Sequence, residues 1–287
     1  MQYWQGFTLF DSTNENACTN FVKPAIFAFS GAAYQGLQAN LFLEKDQSSS
    51  PETNLSMNYL QSNLAIIDPL YGVLRPLDMM QPYRLEMATK GLTLPKSSFM
   101  DTKSKSSTVK LSEFWKPSVT AFLNNEINQR KSELQKQQKK GDDGMNENAI
   151  VILNLASDEY ASAVDSASLI KNDSSTTFNV LFIKVLFQQE GRVIAVHAKR
   201  ARGLMVRYLA LNRITTLEGV QEFNEEGYKF VKSRSSSDTL CFDRKKQAPA
   251  SSSQSVDKSQ TKKKTSKKKS TDETKEKPSN KRSRNNK

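Results

Sequence analysis

Three prolines fall within the twenty residues DPLYGVLRPLDMMQPYRLEM, positions 68–87. Proline locks φ and lacks an N–H, so Pro69, Pro76 and Pro82 rule out a continuous helix and confine the segment to short, stiff pieces joined by turns. Among them stand Tyr71, Arg75 and Arg84, with no histidine or cysteine. Such rigidity either braces a corner of the fold or aims those side chains at a partner. The segment alone leaves both open.

The flanking sequence alternates between helical and extended patterns. Ala25–Phe29 (AIFAF) reads as a short buried strand. Ser50 followed by Pro51 marks a helix start, with Met57, Leu60, Leu64 and Ile67 at helical spacing. Leu111–Ile127 shows a helical face through Phe114, Trp115, Phe122 and Leu123, kinked or restarted at Pro117. Ala149–Leu155 has the apolar character of a central strand, and Phe178–Gln188 with Arg192–Ala198 form a hairpin by composition. Lys199–Ile214 is helical, and Tyr228–Val231 with Thr239–Phe242 would close a last hairpin. Strands and helices mix without a βαβ alternation, so the expected class is α+β.

Charge divides the chain. Residues 244–287 carry 16 Lys/Arg and 4 Asp/Glu, a net of +12. The rest holds 42 − 16 = 26 basic and 30 − 4 = 26 acidic residues and is neutral. The expected organisation is therefore a domain over 1–243 and a disordered lysine- and serine-rich tail over 244–287, which has too little apolar surface to fold. Segments 96–110 and 130–148 read as surface loops, the second extending a helix before Gly141. No apolar run reaches the roughly 20 residues that cross a bilayer, and the N-terminus is not built like a secretory signal. Two cysteines, Cys18 and Cys241, and one histidine, His197, supply neither a disulfide framework nor a metal-ligand set. A reducing, cytoplasmic setting follows, although the lysine-rich tail could also serve as a nuclear address. His197 reads as a hydrogen-bonded strand residue.

The strongest local signal is RVIAVHAKRARGLMVRYLALNR, positions 192–213, with Arg192, Lys199, Arg200, Arg202, Arg207 and Arg213 and no acid. On a helix starting at Lys199, Leu204, Tyr208 and Leu211 form the buried stripe. Arg200, Gly203 and Arg207 share another face, where Gly203 leaves a bare spot for close approach of a phosphate or a backbone. An anion site at the helix start and a solvated basic face paired with acids are equal alternatives. In NLASDEY, positions 154–160, Asn154, Ser157, Asp158 and Glu159 could supply acid/base or metal groups, but a helix cap at Ser157 is the simpler reading. No glycine-rich phosphate loop or other cofactor fingerprint is present.

Taken together, AFSGAAYQGLQA (28–39), LYGVLRPLDMMQPYRLEM (70–87), EFW (113–115), VILNLASDEY (151–160), AKRARGLMVRYLALNRIT (198–215) and FNEEGYKF (223–230) resemble the YaaA peroxide-stress family, in the family's order. The resemblance implies a single α+β domain of unusual topology with a basic cleft. It also implies binding to duplex or branched DNA in the response to hydrogen peroxide, limiting damage by free iron, without an established catalytic reaction. Carried onto this chain, it points to Tyr71, Arg75, Arg84, Lys199, Arg200, Arg202, Gly203, Arg207 and Arg213 as the DNA-binding set, with Asn154 and Ser157 in a further shared motif. The alternatives are an enzyme acting through Asp158, Glu159 or Asn154, and an iron-binding protein using carboxylates. Family members open with a strand leading into Ser-Pro-Ala-Lys ahead of the region matching Trp4, so a preceding piece is expected. A helix-hairpin-helix DNA element is expected too, either there or at Tyr71-Gly72-Val73.

Overall fold

The computed structural model describes residues 22–44, 55–92, 109–138, 149–169 and 178–246. Trp4, Cys18, the Ser50–Pro51 helix start, the 96–108 and 139–148 parts of the two loops and the tail from Gln247 lie outside them. The elements in chain order are β1 (Lys23–Pro24), α1 (Ala25–Ala28), α2 (Ala32–Leu37), α3 (Leu41–Glu44), α4 (Leu55–Asn63), β2 (Ile66–Asp68), β3 (Gly72–Leu74), β4 (Met79–Met80), α5 (Leu111–Gln138), β5 (Ala149–Asn154), α6 (Asp158–Ala161), α7 (Ser166–Leu169), β6 (Asn179–Gln189), α8 (Ala195–Asn212), α9 (Leu217–Gln221), β7 (Lys229–Phe230) and β8 (Thr239–Arg244). The class is α+β.

The main sheet has the order β5-β6-β8-β7. β5 pairs with β6 and β6 with β8 in parallel, while β7 lies antiparallel on β8. The sheet thus contains two parallel crossovers that the sequence pattern did not reveal, and β5, expected at the centre, is an edge strand among the described residues. The period-2 alternation of β6 feeds two cores. Ile183, Val185 and Phe187 pack with Ala201, Leu204, Met205, Phe223, Tyr228 and Phe242 on the α8 side. Val180 and Phe182 join Ile150, Ile152, Leu111, Val119 and Ile127 on the α5 side. The closing hairpin of β7 and β8 forms as expected. β8 runs through Arg244, whose guanidinium pairs with Glu226 at 3.1 Å and sits 4.7 Å over the Tyr228 ring. Arg244 therefore belongs with the folded part, not with the tail.

Two apolar runs adopt helix where strand composition suggested otherwise. Ala25–Phe29 is one helical turn, because Pro24 sets its entry and the Ala25 and Ile26 amides donate to the Asp78 and Pro76 carbonyls. Arg192–Ala198 does not pair back as a hairpin. Only the Gln189–Arg192 bridge forms, and α8 begins at Ala195, four residues before Lys199. Ala198, Ala201, Leu204 and Met205 are buried along one helical face while Val193, Ile194 and Val196 stay exposed, so tertiary packing overrides their strand propensity. His197 is accordingly a helix residue, and its buried Nδ1 has no hydrogen-bond partner among the described residues. α4 ends at Asn63, so Ile67 lies in β2 instead of on a helix face. α5 continues through Pro117, which sits within its first two turns, and extends to Gln138.

The proline-stiffened segment is a chain of turns and two-to-three-residue strands. Asp68 Oδ1 accepts from the Leu70 and Tyr71 amides at 2.8 and 2.7 Å, turning β2 into β3. Gly72 follows with φ +81°, and a Cβ there would meet the Trp115 ring at 2.6 Å. Only glycine meets both conditions. Trp115 Nε1 donates to the Pro69 carbonyl at 2.9 Å and locks the turn onto α5. Residues 69–71 are therefore the turn of a β-hairpin, with Gly72 and Val73 in its second strand opposite Asp68 and Ile67, and the helix-hairpin-helix expectation fails there.

Candidate functional site

Three distant sequence motifs converge on one buried carboxylate. Asp68, at the end of β2, is almost inaccessible to solvent. Besides the two amides on Oδ1, its Oδ2 accepts a hydrogen bond from the Tyr83 hydroxyl. Burial pushes the Asp68 carboxyl above the usual carboxylate range, against the pull of Tyr83 and the two amides. Tyr34 on α2 and Tyr160 on α6 lie within the field of the same acid. Burial comes first in raising the hydroxyls of Tyr34, Tyr83 and Tyr160; the Asp68 charge adds at Tyr34, and the hydrogen bond to Asp68 and then its charge add at Tyr83. Tyr71 packs edge-on against Tyr83, centroids 5.9 Å apart, and its hydroxyl accepts from the Gln81 amide at 3.2 Å. Sequence reasoning passed over Asp68, Tyr34, Tyr83 and Tyr160. The available signal was a lone acid between apolar residues and a proline, the pattern of a side chain turned inward to hold a turn.

Beside this cluster the C-terminal end of β5 carries NLASDEY. Asn154 Oδ1 accepts from the Ala156 amide at 3.0 Å, and Ser157 stands at the N-cap of α6 without capping through its hydroxyl. Asp158 pairs with Lys184 Nζ at 2.7 Å, and that hydrogen bond with the lysine charge holds its carboxyl low. Arg202 on α8 also lies within reach of the Asp158 charge. It is half-buried, its Nε is sealed from solvent, and it forms no hydrogen bond or ion pair among the described residues. Burial lowers its pKa, with Asp158 opposing.

The basic residues singled out from sequence divide into two groups. Arg75 bonds Glu126, donates to the Leu64 carbonyl at 3.1 Å and lies 5.0 Å over the Phe122 ring. Arg84 pairs with Glu86 on the surface. Arg200 pairs with Glu226 at 2.7 Å, and Arg207, only 13% exposed, with Glu225 at 2.8 Å. Burial works against ionising Glu226, but Arg200 and Arg244 outweigh it and hold its pKa low. For these four the solvated or structural pairing is what the fold contains. Gly203 offers no bare spot: it is buried against α2, where a Cβ would stand 1.7 Å from the Ala33 carbonyl oxygen. Since α8 begins at Ala195, Lys199 and Arg200 lie in its second turn and not at its exposed N–H groups. Arg213 caps the helix end in the left-handed conformation, φ 50°. Lys199 and Arg202, three residues apart on α8, and Arg213 at its C-terminal end remain as cations for which no carboxylate contact is seen among the described residues.

An α+β core with an inward-facing acid, a tyrosine cluster and a basic helix flank defines a class, and sequence comparison names it. The model of the peroxide stress protein YaaA family matches residues 2–234, and this chain belongs to that family. It is similar to the UPF0246 protein of Bordetella petrii, with 37% identity over 227 residues, 78% of this chain and 70% of that one. The UPF0246 protein of Aliivibrio fischeri strain MJ11 is 35% identical over 235 residues, 82% of this chain and 72% of its own. That of Francisella philomiragia is 34% identical over 226 residues, 77% and 70% respectively. No helix among the described residues is long and apolar enough to cross a membrane.

Proposed function

We propose that this chain serves the peroxide stress response as a non-catalytic DNA-binding protein, shielding DNA from damage by free iron. The observation that carries the reading is Arg202. A half-buried guanidinium without a partner is costly, and it is complementary to an anion that supplies the missing acceptors. Lys199 one turn earlier adds a second cation, and exposed Arg192 lies in the turn leading into α8. Phosphates of duplex or branched DNA provide such acceptors at regular spacing. The lysine-rich tail adds nonspecific attraction, since its +12 charge is not matched elsewhere in the chain.

Fluorescence anisotropy with labelled duplex and branched DNA over a salt series tests it. Lys199→Ala with Arg202→Ala weakens binding about tenfold or more, and the slope of log K against log salt falls by about 0.9 for each phosphate no longer neutralised. An unchanged affinity and slope sinks the reading.

A second reading rests on Asp68. A buried carboxyl with a raised pKa beside tyrosine hydroxyls is the kind of group that transfers protons. In that reading the family site is an enzyme's, and only Tyr160 of NLASDEY belongs to it. Asp68→Asn that abolishes peroxide survival in cells while leaving DNA affinity intact favours it over the first.

A further inference from the structure

Asp68 is a buried carboxylate held without a countercharge. Three neutral donors bind it, the Leu70 and Tyr71 amides on Oδ1 and the Tyr83 hydroxyl on Oδ2, and no cation pairs with it among the described residues. The turn between β2 and β3 needs only the two amides. The Tyr83 hydrogen bond is additional, and it sets this tyrosine apart. The hydroxyls of Tyr59 and Tyr208 donate to the carbonyls of Ile214 and Gly219, which are poor proton acceptors. Among the described residues no other tyrosine hydroxyl donates to a carboxylate.

Losing an electron alone would turn Tyr83 into a buried cation, which a low-dielectric surrounding opposes. Passing the phenolic proton to Asp68 Oδ2 in the same step avoids that charge. The pair then goes from a neutral phenol and a carboxylate anion to a neutral phenoxyl radical and a neutral acid. Burial that penalises the Asp68 charge therefore favours this oxidation, and the same burial already pushes the Asp68 carboxyl toward its protonated form. As long as no electron leaves, burial and Asp68 together keep the proton on Tyr83. Aromatic rings connect the pair to its surroundings. Tyr71 packs edge-on against Tyr83 with centroids 5.9 Å apart, and the Trp115 ring covers Gly72, the next residue. Tyr34, on which the Asp68 charge acts, stacks on Phe29 in the wall of an open cavity.

We infer that Asp68 and Tyr83 form a proton-coupled electron donor that reduces one-electron oxidants, the oxyl radicals that arise from peroxide. In the step, one electron passes from Tyr83 to a hydroxyl radical, which leaves as hydroxide, and one proton passes from Tyr83 to Asp68. A soluble thiolate or ascorbate then returns an electron to the phenoxyl radical, Asp68 returns the proton, and the pair is restored. This activity stands apart from the DNA reading. It also goes beyond the proton transfer of the second reading, because an electron moves with the proton.

The test oxidises the full chain, without DNA, using photogenerated tris(bipyridine)ruthenium(III), and follows the tyrosyl radical by transient absorption and electron paramagnetic resonance. The parent forms the radical at Tyr83, and Tyr83→Phe loses most of the signal. Asp68→Asn leaves Tyr83 in place but cannot take its proton, so radical formation slows by about tenfold or more. Tyr208→Phe, in the core on the α8 side, behaves as the parent does. Two measurements on the parent keep the test decisive should a variant at the pair fail to fold: spin-trap adducts mapped by mass spectrometry, and the rate in heavy against light water. A radical trapped only at other tyrosines, or an undiminished signal in Tyr83→Phe, overturns the inference. So does an unchanged rate in Asp68→Asn, or equal rates in the two waters. None of these readouts involves nucleic acid, so the DNA reading stands or falls separately.

Discussion

Gly203 and Gly36 bring helices α8 and α2 into backbone contact. A Cβ on Gly203 would lie 1.7 Å from the Ala33 carbonyl oxygen, and one on Gly36 2.2 Å from that of Arg200. No rotamer change relieves a clash with backbone, so the helices must part. Gly203→Leu is expected to lower stability by about 3 kcal/mol in urea unfolding. Any loss of DNA binding in that variant then reports unfolding, not a blocked phosphate. An unchanged midpoint would mean that the helices re-space freely.

Arg202 should show opposite effects on stability and on binding. Arg202→Met keeps the length of the side chain and removes a cation that burial leaves without an acceptor. Discounted for its partial exposure, the gain is about 1 kcal/mol. The same protein should bind duplex DNA about tenfold more weakly. Urea titration and anisotropy on one preparation check both, and a variant that is less stable than its parent contradicts the assignment.

Arg207 is a structural partner, and reversing it tests that role. Its guanidinium bonds both Glu225 and Gln38 at a largely covered position. Arg207→Glu sets two carboxylates against each other and is expected to cost about 2–3 kcal/mol. Arg84→Glu, on an exposed pair, should change stability by less than about 1 kcal/mol. Equal thermal shifts in the two variants would refute the distinction.

Asp68 makes stability depend on pH in the direction opposite to an ordinary paired acid. Its folded pKa lies above the unfolded value of about 3.9, so between the two the native state binds more protons than the unfolded chain. Its contribution is full below about pH 4 and is lost as pH rises through the raised pKa. Asp68→Asn lacks this dependence, so its melting temperature relative to the parent should climb with pH across that window. A constant difference from acid to neutral pH would place the Asp68 pKa at its ordinary value.

The parts of the fold that were legible in the sequence are those fixed by local rules. Pro69, Pro76 and Pro82 forced short pieces, the alternation of 178–188 marked β6, and the apolar face from Leu111 marked α5. Arg192–Ala198 reads as strand because Val193, Ile194 and Val196 favour it locally, while the packing that makes the segment helical from Ala195 comes from the sheet beneath Ala198 and Ala201. The site was less legible. Glu225, Glu226 and Glu126 neutralise arginines that look free in the sequence, and the cover over Gly203 comes from α2, far upstream. Such pairings are properties of tertiary contact, which a window of one chain does not contain. Asp68 was hidden in the same way, since its three donors are two neighbouring amides and a tyrosine brought back by the chain's turns at Pro76 and Pro82.

Cys241 sits in the middle of β8, buried, with its Sγ against Gln188 Oε1 at 3.3 Å. Burial raises its pKa. A thiolate attacks an oxygen of hydrogen peroxide and expels hydroxide as the O–O bond breaks, so oxidation to sulfenic acid and beyond is selective for exposed thiols of low pKa. Cys241 is neither. The place of this sulfur within the sheet thus works against its oxidation by the agent for which the family is named.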